Sequence, residues 1–526
     1  MMKRSALAVA FVLGLVGAAE AQTPRKGGTL RMTAPYGSSF SALDIHTSVR
    51  AQDGIWAKAI HRTLFNWDSD KNAIVGELVK SITTSADGLT HTLKLRDDAV
   101  FHHGRKLSAD DVIYSMTRLM DAKKAYAGAR WARFIKGAAD VEKGTAQEIT
   151  GLKKIDDVTL EMTLTEKTNP GFYFYNDNTA IYPKELADTP EFLQKPIGLG
   201  PFKFVEHVPG SRIVADRFDK FYKPVYLDKV IVAIMGEAPA RDIAFRNKEV
   251  DLSILGPVQY VAYSEDAALK DGIIEVAEVF TRNMGMNPAF KPFSDKRVRQ
   301  AINHAIDTDL IVKRLSRNKA YRAVSWLPLT SPAFDKDRKP YAFDQDKAKK
   351  LLEEAGYKDG FEFEWTTSQN ESWGLPIVEA VIPMLAKVGI KVKVKQIEAA
   401  VLADTVRKND FQAYIWSNQT GPDAMAVMNC FYSTMPQTNC NYVSFKNAAY
   451  DKVIDEARLA TDPAKLNALL KQADGILYEE AHVWFFNYNK AAMAFQPWVK
   501  GLQANATELT HQYPEYIWVT DASPVK

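Results

Sequence analysis

The sequence has little cysteine, little net charge and no long apolar run after its first residues. Its two cysteines, Cys430 and Cys440, have no histidine nearby to complete a zinc ligand set, which disfavours a metal site. The formal net charge is +3, so no bulk field favours nucleic acid or an anionic membrane, and no motif of a nucleic-acid module occurs. Without a later apolar run of about 20 residues, no membrane insertion is expected.

Recognisable catalytic motifs are also missing. The H-E-x-x-H, G-x-S-x-G and phosphate-loop patterns do not occur. The segment from Ser316 to Lys319 matches S-x-x-K, but the K-T-G motif that accompanies it in penicillin-interactive enzymes is absent. Gly198 and Gly200 run straight into Pro201, which favours a turn over a dinucleotide loop. We therefore expect no enzyme and no cofactor, with an exported hydrolase as the remote alternative.

The composition indicates a large folded protein. Hydrophobic residues make up 46% and charged residues 25% of the chain, which is typical of globular proteins and argues against disorder. At 526 residues the chain is too long for one hydrophobic core, so two or three domains are expected.

The first residues have the pattern of a cleavable signal peptide. Lys3 and Arg4 precede an apolar segment over 6–16, and Ala19-Glu20-Ala21 matches an A-x-A cleavage site. Cleavage after Ala21 predicts a periplasmic protein, whereas the alternative is a buried amino-terminal helix. In an oxidising compartment we predict a Cys430–Cys440 disulfide rather than two buried thiols.

Alternating and helical patterns in the last third of the chain predict a parallel sheet. A strand at 361–365, a helix at 375–388 and a strand at 390–394 form a βαβ unit, and 411–416 is a further strand of the same sheet. Ligands of such sheets lie beyond the carboxyl ends of the strands. This selects segments 366–373 and 417–423.

Aromatic and polar side chains at these strand ends are candidate ligand contacts. The alternative for each tryptophan is core packing, and for the aspartate it is capping of the turn. The candidates are Trp365, Trp373, Trp416, Asn418 and Asp423.

Several short motifs, spread over the mature chain, resemble one family of transport proteins. They are Gly28-Thr-Leu-Arg31, Phe101-His-His-Gly104 with the following 107–115, Gly198-Leu-Gly-Pro-Phe202, the helix 297–307, and Gly421-Pro-Asp423 with Cys430. In this order they resemble the extracytoplasmic solute-binding proteins of ABC importers, of the peptide/nickel type (dipeptide- and oligopeptide-binding, family 5).

The resemblance implies an α/β fold of two lobes that close on a ligand. This is the type II periplasmic-binding-protein fold in its large cluster C form, with an extra subdomain in the first lobe. The implied division is 1–21 signal peptide; 22–48, 180–265 and 495–526 first lobe; 49–179 inserted subdomain; and 266–494 second lobe. Hinge strands are expected near 255–280 and 488–500.

The resemblance also implies a monomeric receptor that delivers its solute to ABC permease subunits. The solute most consistent with it is a peptide or peptide-like compound. Dipeptide-binding members usually carry Asp-Pro-Asp where this chain has Gly421-Pro422-Asp423. An opine, an oligosaccharide or a metal chelate therefore stays as an alternative ligand.

Four further residues are candidate cleft contacts by their position relative to the implied lobes. Tyr36 and Phe40 belong to an opening loop of the first lobe, and Arg282 lies at the start of the second. The Arg282 guanidinium is suited to holding a carboxylate or to pairing with an acid of the other lobe. Trp326 precedes Pro328 and is expected to line the lobe boundary.

Overall fold

The structure of the protein is a computed structural model. It describes residues 23–33, 43–48, 53–71, 73–124, 126–235, 237–317, 319–369, 374–419, 424–435, 440–460 and 462–525. Residues 399, 400, 403, 418, 419 and 489 are described by their backbone alone.

The described residues form nineteen strands and seventeen α-helices. The strands are β1 Thr29–Thr33, β2 Phe65–Asp68, β3 Ala73–Gly76, β4 Val79–Thr84, β5 Thr90–Leu95, β6 Leu152–Asp156, β7 Thr159–Thr163, β8 Phe202–Val208, β9 Arg212–Arg217, β10 Lys229–Ala233, β11 Leu252–Ile254, β12 Ile273–Met286, β13 Ala320–Arg322, β14 Phe361–Ser368, β15 Ile390–Ile397, β16 Ala413–Gln419, β17 Val483–Phe495, β18 Val499–Lys500 and β19 Trp518–Val519. The helices are α1 Gly54–Ile60, α2 Ala109–Leu119, α3 Ala129–Ala132, α4 Ala138–Glu142, α5 Gly171–Phe174, α6 Pro190–Gln194, α7 Ala238–Arg246, α8 Pro257–Glu265, α9 Lys291–Ser294, α10 Lys296–Ala305, α11 Thr308–Leu315, α12 Gln345–Glu354, α13 Gly374–Ala386, α14 Ala399–Arg407, α15 Ala424–Asn429, α16 Ala448–Leu459 and α17 Pro463–Glu480.

One eleven-stranded sheet runs through both lobes. Its order is β15-β14-β16-β12-β17-β11-β1-β10-β9-β8, with β13 paired to β17. We call the half of the sheet with β1 and β8 to β11 the first lobe and the half with β13 to β16 the second. The two long strands β12 and β17 pair with each other along nearly their whole length and so join the lobes.

The pairing of β12 with β17 is interrupted where the lobes meet. Ala277 pairs with Lys490 and Thr281 pairs with Tyr488, so residues 278–280 lie opposite the single residue 489. We call residues 278–280 the hinge bulge. Extra residues on one strand bend that strand and interrupt its hydrogen-bonded ladder.

The carboxyl-terminal segment holds the hinge bulge in place. The amide of Val279 donates to the Ala506 carbonyl oxygen at 3.0 Å, and the amide of Leu509 donates to Glu278 Oε1 at 3.1 Å. Val279 and Ala506 are buried against Trp67 of strand β2. The bulge is therefore fixed by segments distant from it in sequence.

The parallel pairing predicted for the second lobe is confirmed. Strands β14 and β15 pair in parallel from Phe361–Ile390 to Ser368–Ile397, and β16 pairs in parallel with β14. In the first lobe, β1 is parallel to both β10 and β11. Apolar side chains on one face of the second-lobe sheet, including Phe363 and Ile415, pack in one core with helices α10, α12 and α13.

A separate four-stranded antiparallel sheet, in the order β4-β5-β7-β6, lies in the part of the chain between β3 and α5. Helix α2 packs against it through Val112 and Met116, which are fully buried. The helix begins at a capping box in which the Asp111 carboxylate accepts from the Ser108 amide at 2.9 Å. The amide of Gly198 donates to His102 Nδ1 at 3.2 Å, which ties this sheet's region to the first lobe.

The predicted disulfide is confirmed. Cys430 and Cys440 are bonded, with their Cα atoms 5.3 Å apart. Among the helices in the described part of the chain, none combines the length and the apolar character needed to cross a membrane.

Candidate functional site

The carboxyl ends of the parallel strands in both lobes point toward the hinge bulge. In the first lobe, β1, β10 and β11 run in the direction of β12, because β11 and β12 are both antiparallel to β17. In the second lobe, β16 is antiparallel to β12, and β14 is parallel to β16. Two carboxyl-end edges therefore face each other across the hinge, which is the arrangement in which open α/β sheets bind ligands.

The register of the second-lobe strands identifies which residues lie at this boundary. Gln419 ends β16 opposite Phe280 of β12, and Ala320 begins β13 opposite residue 489 of β17. Ser368 ends β14 on the same side. We call these strand ends, with the residues that directly adjoin them, the interlobe edge.

Buried side-chain oxygen atoms without hydrogen-bond partners among the described residues cluster along the interlobe edge. The residues that carry them are at most 1% exposed. Buried polar groups are nearly always paired, so such a cluster needs an explanation, and a bound solute supplies the missing partners. The residues are Thr281, Asn283, Thr366, Thr367, Ser368 and Asn487.

The same edge carries a group of charged residues around the hinge bulge. Lys490 Nζ lies 3.4 Å from Glu275 Oε1 and donates to the Tyr260 hydroxyl at 3.2 Å. Burial lowers the pKa of Lys319 to about 8, against the opposing effect of the Glu278 carboxylate. Sites with perturbed titratable groups in a cleft are candidate functional sites.

A second carboxyl group stands beside Glu278. Burial, reinforced by the negative charge of Glu278, raises the pKa of Glu508 to about 8. The Thr510 hydroxyl donates to Glu508 Oε1 at 3.0 Å. Two buried carboxyl groups thus face each other at the point where the lobes join.

Three of the residues predicted from the sequence lie at the interlobe edge. Trp416 and Asn418 are on β16, where they pair with Asn283 and Thr281 of β12. Arg282 lies between them on β12, in register with Ser417 and Asn487. Trp416 and Arg282 are half-buried.

Two predicted tryptophans lie in the cores of the second lobe. Trp365 is 0% exposed and its ring centroid is 6.4 Å from that of Trp484. Trp326 is 5% exposed and packs 4.9 Å from Phe431, between ring centroids. Both tryptophans pack in hydrophobic cores, which is the alternative that the sequence analysis gave for Trp365.

The remaining predicted contacts lie outside the described residues. They are Tyr36, Phe40, Trp373 and Asp423.

Sequence patterns did not single out several residues of this site. Thr366 and Thr367 fall in the segment selected beyond the strand at 361–365, although no particular side chain there except Trp373 was predicted. Glu278 and Glu508 carry no local signal, and Lys319 was named only as the lysine of the S-x-x-K match. The proximity of these three residues depends on the register break between β12 and β17. Over the described residues, no group of three or more His, Cys, Asp and Glu is arranged to hold a metal ion.

Comparisons with known proteins agree with this geometry. The sequence model of the bacterial extracellular solute-binding proteins, family 5 (middle region), matches residues 73–439. The dipeptide-binding protein of Escherichia coli K12 is 26% identical over 475 residues, covering 84% of this chain and 86% of the relative. Heme-binding protein A of Haemophilus influenzae is 27% identical over 486 residues, covering 85% of this chain and 84% of the relative.

Solved structures share the fold. The periplasmic binding protein DppA from Helicobacter pylori, in complex with the peptide STSA, superposes with a TM-score of 0.74 at 24% identity and covers 94% of this chain and 98% of its own. HbpA2 from Haemophilus parasuis superposes with a TM-score of 0.80 at 21% identity, over 94% of this chain and 100% of its own. The family match spans more than half of the sequence, and the two-lobed α/β fold agrees with it. The chain belongs to the bacterial extracellular solute-binding proteins of family 5.

Proposed function

We propose that this protein captures a peptide between its two lobes and delivers it to an ABC permease. The family supports the solute-binding role, and several relatives have names that refer to peptide ligands. The protein acts as a receptor without catalysis. It is exported by a signal peptide cleaved after Ala21, works in the periplasm and is a monomer.

The observation that carries this proposal is the group of unpaired polar atoms at the interlobe edge. The hydroxyls of Thr366 and Thr367 and the amide oxygens of Asn283 and Asn487 are buried without hydrogen-bond partners among the described residues. A peptide presents several amide donors and carbonyl acceptors, so it is suited to a group of short polar side chains. Neutral hydroxyl and amide groups of this kind orient a ligand by hydrogen bonds.

The proposed ligand contacts combine this group with the residues predicted from the sequence. Trp416, Asn418 and Arg282 contribute from the second lobe, with Asp423 and Trp373, while Tyr36 and Phe40 contribute from the first. Trp365 and Trp326 support the site from the core. The proposed lobe boundaries are those implied by the resemblance, with the hinge at 278–280 and 489.

The test is a thermal-shift screen with di- to pentapeptides, opines, oligosaccharides and nickel chelates. A peptide at 100 times its dissociation constant is expected to stabilise the protein by about 2.7 kcal/mol, because it binds the folded state alone. No shift with any peptide, together with turnover in a hydrolase assay, contradicts the receptor proposal.

A matched pair of threonine variants tests the site itself. Thr366→Val removes an unpaired buried hydroxyl, so the solute-free protein is expected to be no less stable, while peptide affinity falls by about 1–3 kcal/mol. In the control, Thr308→Val removes the acceptor of a 2.8 Å hydrogen bond from Trp484 Nε1 in the core. That variant is expected to lose stability and to keep its affinity for the peptide.

A further inference from the structure

Lys490 lies on β17 at the point where the pairing of this strand passes from one lobe to the other. Its backbone pairs with Ala277, the last residue of β12 before the hinge bulge. The preceding residue, 489, pairs with Ala320 of β13 in the second lobe. The side chain of Lys490 therefore starts from the boundary between the lobes.

The ammonium group of Lys490 lies over two tyrosine rings that come from different segments. Nζ is 5.3 Å from the ring centroid of Tyr260 on α8 and 5.0 Å from the ring centroid of Tyr321 on β13. Both distances fall within the range of about 6 Å over which the face of an aromatic ring attracts a cation. One positive group thus contacts both rings.

Each of these rings packs against a different hydrophobic core. Tyr260 adjoins a core that contains Phe245 of α7 and Tyr263 of α8, beside β11 of the first lobe. Tyr321 adjoins a core of the second lobe that contains Tyr488. Side chains packed against a dense core keep their positions in it, so each ring moves with its own lobe. Rotation of one lobe about the hinge bulge therefore changes the distance between the two rings.

Polar contacts fix the Lys490 side chain on the side of the first lobe. Nζ donates to the Tyr260 hydroxyl at 3.2 Å and lies 3.4 Å from Glu275 Oε1, and the Tyr260 hydroxyl donates to Glu275 Oε2 at 2.8 Å. The Lys490 side chain is 13% exposed, and a cation held over a ring is bound more strongly when it is desolvated. The ammonium group is thus anchored to one lobe and contacts the Tyr321 ring of the other.

We infer that Lys490 is a latch between the lobes: anchored by Glu275 and Tyr260, it holds the Tyr321 ring and stabilises the lobe arrangement of this structure against rotation about the hinge bulge. The inference goes beyond the proposed function, because it concerns the balance between lobe arrangements and not the solute that they hold. A ligand shifts such a balance only by its difference in affinity for the two arrangements. The latch sets the balance from which that shift starts.

A latch affects all solutes alike, which distinguishes it from a residue that touches the solute. The apparent affinity of a receptor scales with the fraction of molecules in the arrangement that binds. Loss of the latch changes this fraction by a single factor. Loss of a residue that touches the solute changes each affinity by a different factor, set by the chemistry of that solute.

The experiment measures the distance between the lobes in the full mature protein, freed of bound solute by unfolding and refolding with its disulfide intact. Nitroxide labels are attached to cysteines introduced by Ile243→Cys on α7 and Leu459→Cys on α16, where both native side chains are exposed. Pulsed electron paramagnetic resonance then gives the distribution of distances between the labels, with no peptide added. The variants are Lys490→Met, Tyr321→Leu, their combination and Lys490→Arg.

Lys490→Met and Tyr321→Leu are each expected to change the ratio of this lobe arrangement to others by about threefold or more, because either one removes the cation–π contact. The combined variant is expected to add little to the single ones, since both remove the same contact. Lys490→Arg keeps most of the wild-type distribution, because a guanidinium also stacks on aromatic rings. The control Lys393→Met removes an exposed lysine paired with Glu362 and is expected to match the wild type.

Two results overturn the inference. One is a distance distribution in Lys490→Met that coincides with the wild type. The other is a change in Lys490→Met with none in Tyr321→Leu, which assigns the effect to contacts within the first lobe. Thermal melts establish that each variant is folded, and Lys490→Gln replaces Lys490→Met if the latter does not fold. Neither result depends on peptide binding, so the proposed function stands or falls by its own thermal-shift screen.

Discussion

Tryptophan side chains near the interlobe edge occupy two different environments. The Trp365 ring is fully buried beside Phe363 and Trp484, whereas Trp416 is half-buried toward the end of β16. The two rings lie on opposite faces of the sheet, because successive side chains of a strand alternate between faces. Trp365 packs with Ile415 in one core, and Trp416 packs with Tyr414 in another. Burial depth therefore predicts different consequences for the same substitution.

Trp365→Ala is expected to lower the free energy of unfolding by about 3–5 kcal/mol, because it leaves a cavity in a packed core. Trp416→Ala is expected to cost less stability and to weaken peptide binding instead. Urea unfolding and calorimetric titration of both variants check this. An affinity loss in folded Trp365→Ala that exceeds the loss in Trp416→Ala would reverse the two assignments.

At the scale of secondary-structure elements, the hinge bulge brings two carboxyl groups together. Glu278 belongs to the bulge, and Glu508 lies on the carboxyl-terminal segment that holds it. Because the pKa of Glu508 is raised to about 8, the folded state holds a proton that the unfolded state releases near its ordinary value of 4.5. This contribution to stability is present below that ordinary value and is lost as the pH rises toward 8.

Glu508→Gln is expected to remove much of this pH dependence. Between pH 5.5 and pH 8.5 the wild type should lose about 2–4 kcal/mol more unfolding free energy than the variant, by urea titration at each pH. The exposed substitution Glu265→Gln serves as the control and should follow the wild type. Parallel pH curves for Glu508→Gln and the wild type would show that Glu508 is ionised in the fold.

The sequence predicted those elements whose pattern is local. Alternation at 361–365 and 390–394 and the intervening helix were sufficient for a parallel unit, and β14 and β15 pair in that way. Strand β17 extends to Phe495, although Ala491, Ala492 and Ala494 provide no alternation, because these residues are buried between neighbouring strands. Burial on both faces removes the signal on which a strand prediction depends.

The site was predictable only in part, because some of its residues come together through long-range pairing that no local pattern shows. Strand ends can be read from the sequence, so Trp416 and Asn418 were identified as edge residues. Lys319 and Glu508 lie about 190 residues apart in sequence, on different segments, and both are close enough to Glu278 of the hinge bulge to feel its charge. Their roles depend on a register break that no local pattern encodes.

At the scale of the whole molecule, a buried ion network joins distant parts of the chain. Arg62 Nη2 donates to Glu515 Oε1 at 2.8 Å, and Arg62 Nε lies 3.3 Å from Glu77 Oε1. Lys223 Nζ lies 2.7 Å from Glu77 Oε2. Two positive and two negative groups thus neutralise each other where residues 62–77, Lys223 and the carboxyl-terminal segment meet.

Glu515→Gln is expected to lower the unfolding free energy by about 3–5 kcal/mol, because it leaves a buried positive charge uncompensated. The control Asp521→Asn removes a partner of Arg25 whose side chain is 86% exposed, and is expected to cost at most about 1 kcal/mol. Thermal and urea unfolding compare the two variants. Equal costs would indicate that the buried network contributes no more than a surface ion pair.

The position of β17 in the sequence has a consequence for how the protein is made. This strand pairs with β11, β12 and β13, yet it follows all three in the sequence, from Val483 to Phe495. The central sheet therefore stays incomplete until β17 has been synthesised, and its long-range pairings form late. Before that point, a ribosome-bound chain can fold local units such as the β14–β15 pair, but it cannot join the two halves of the sheet.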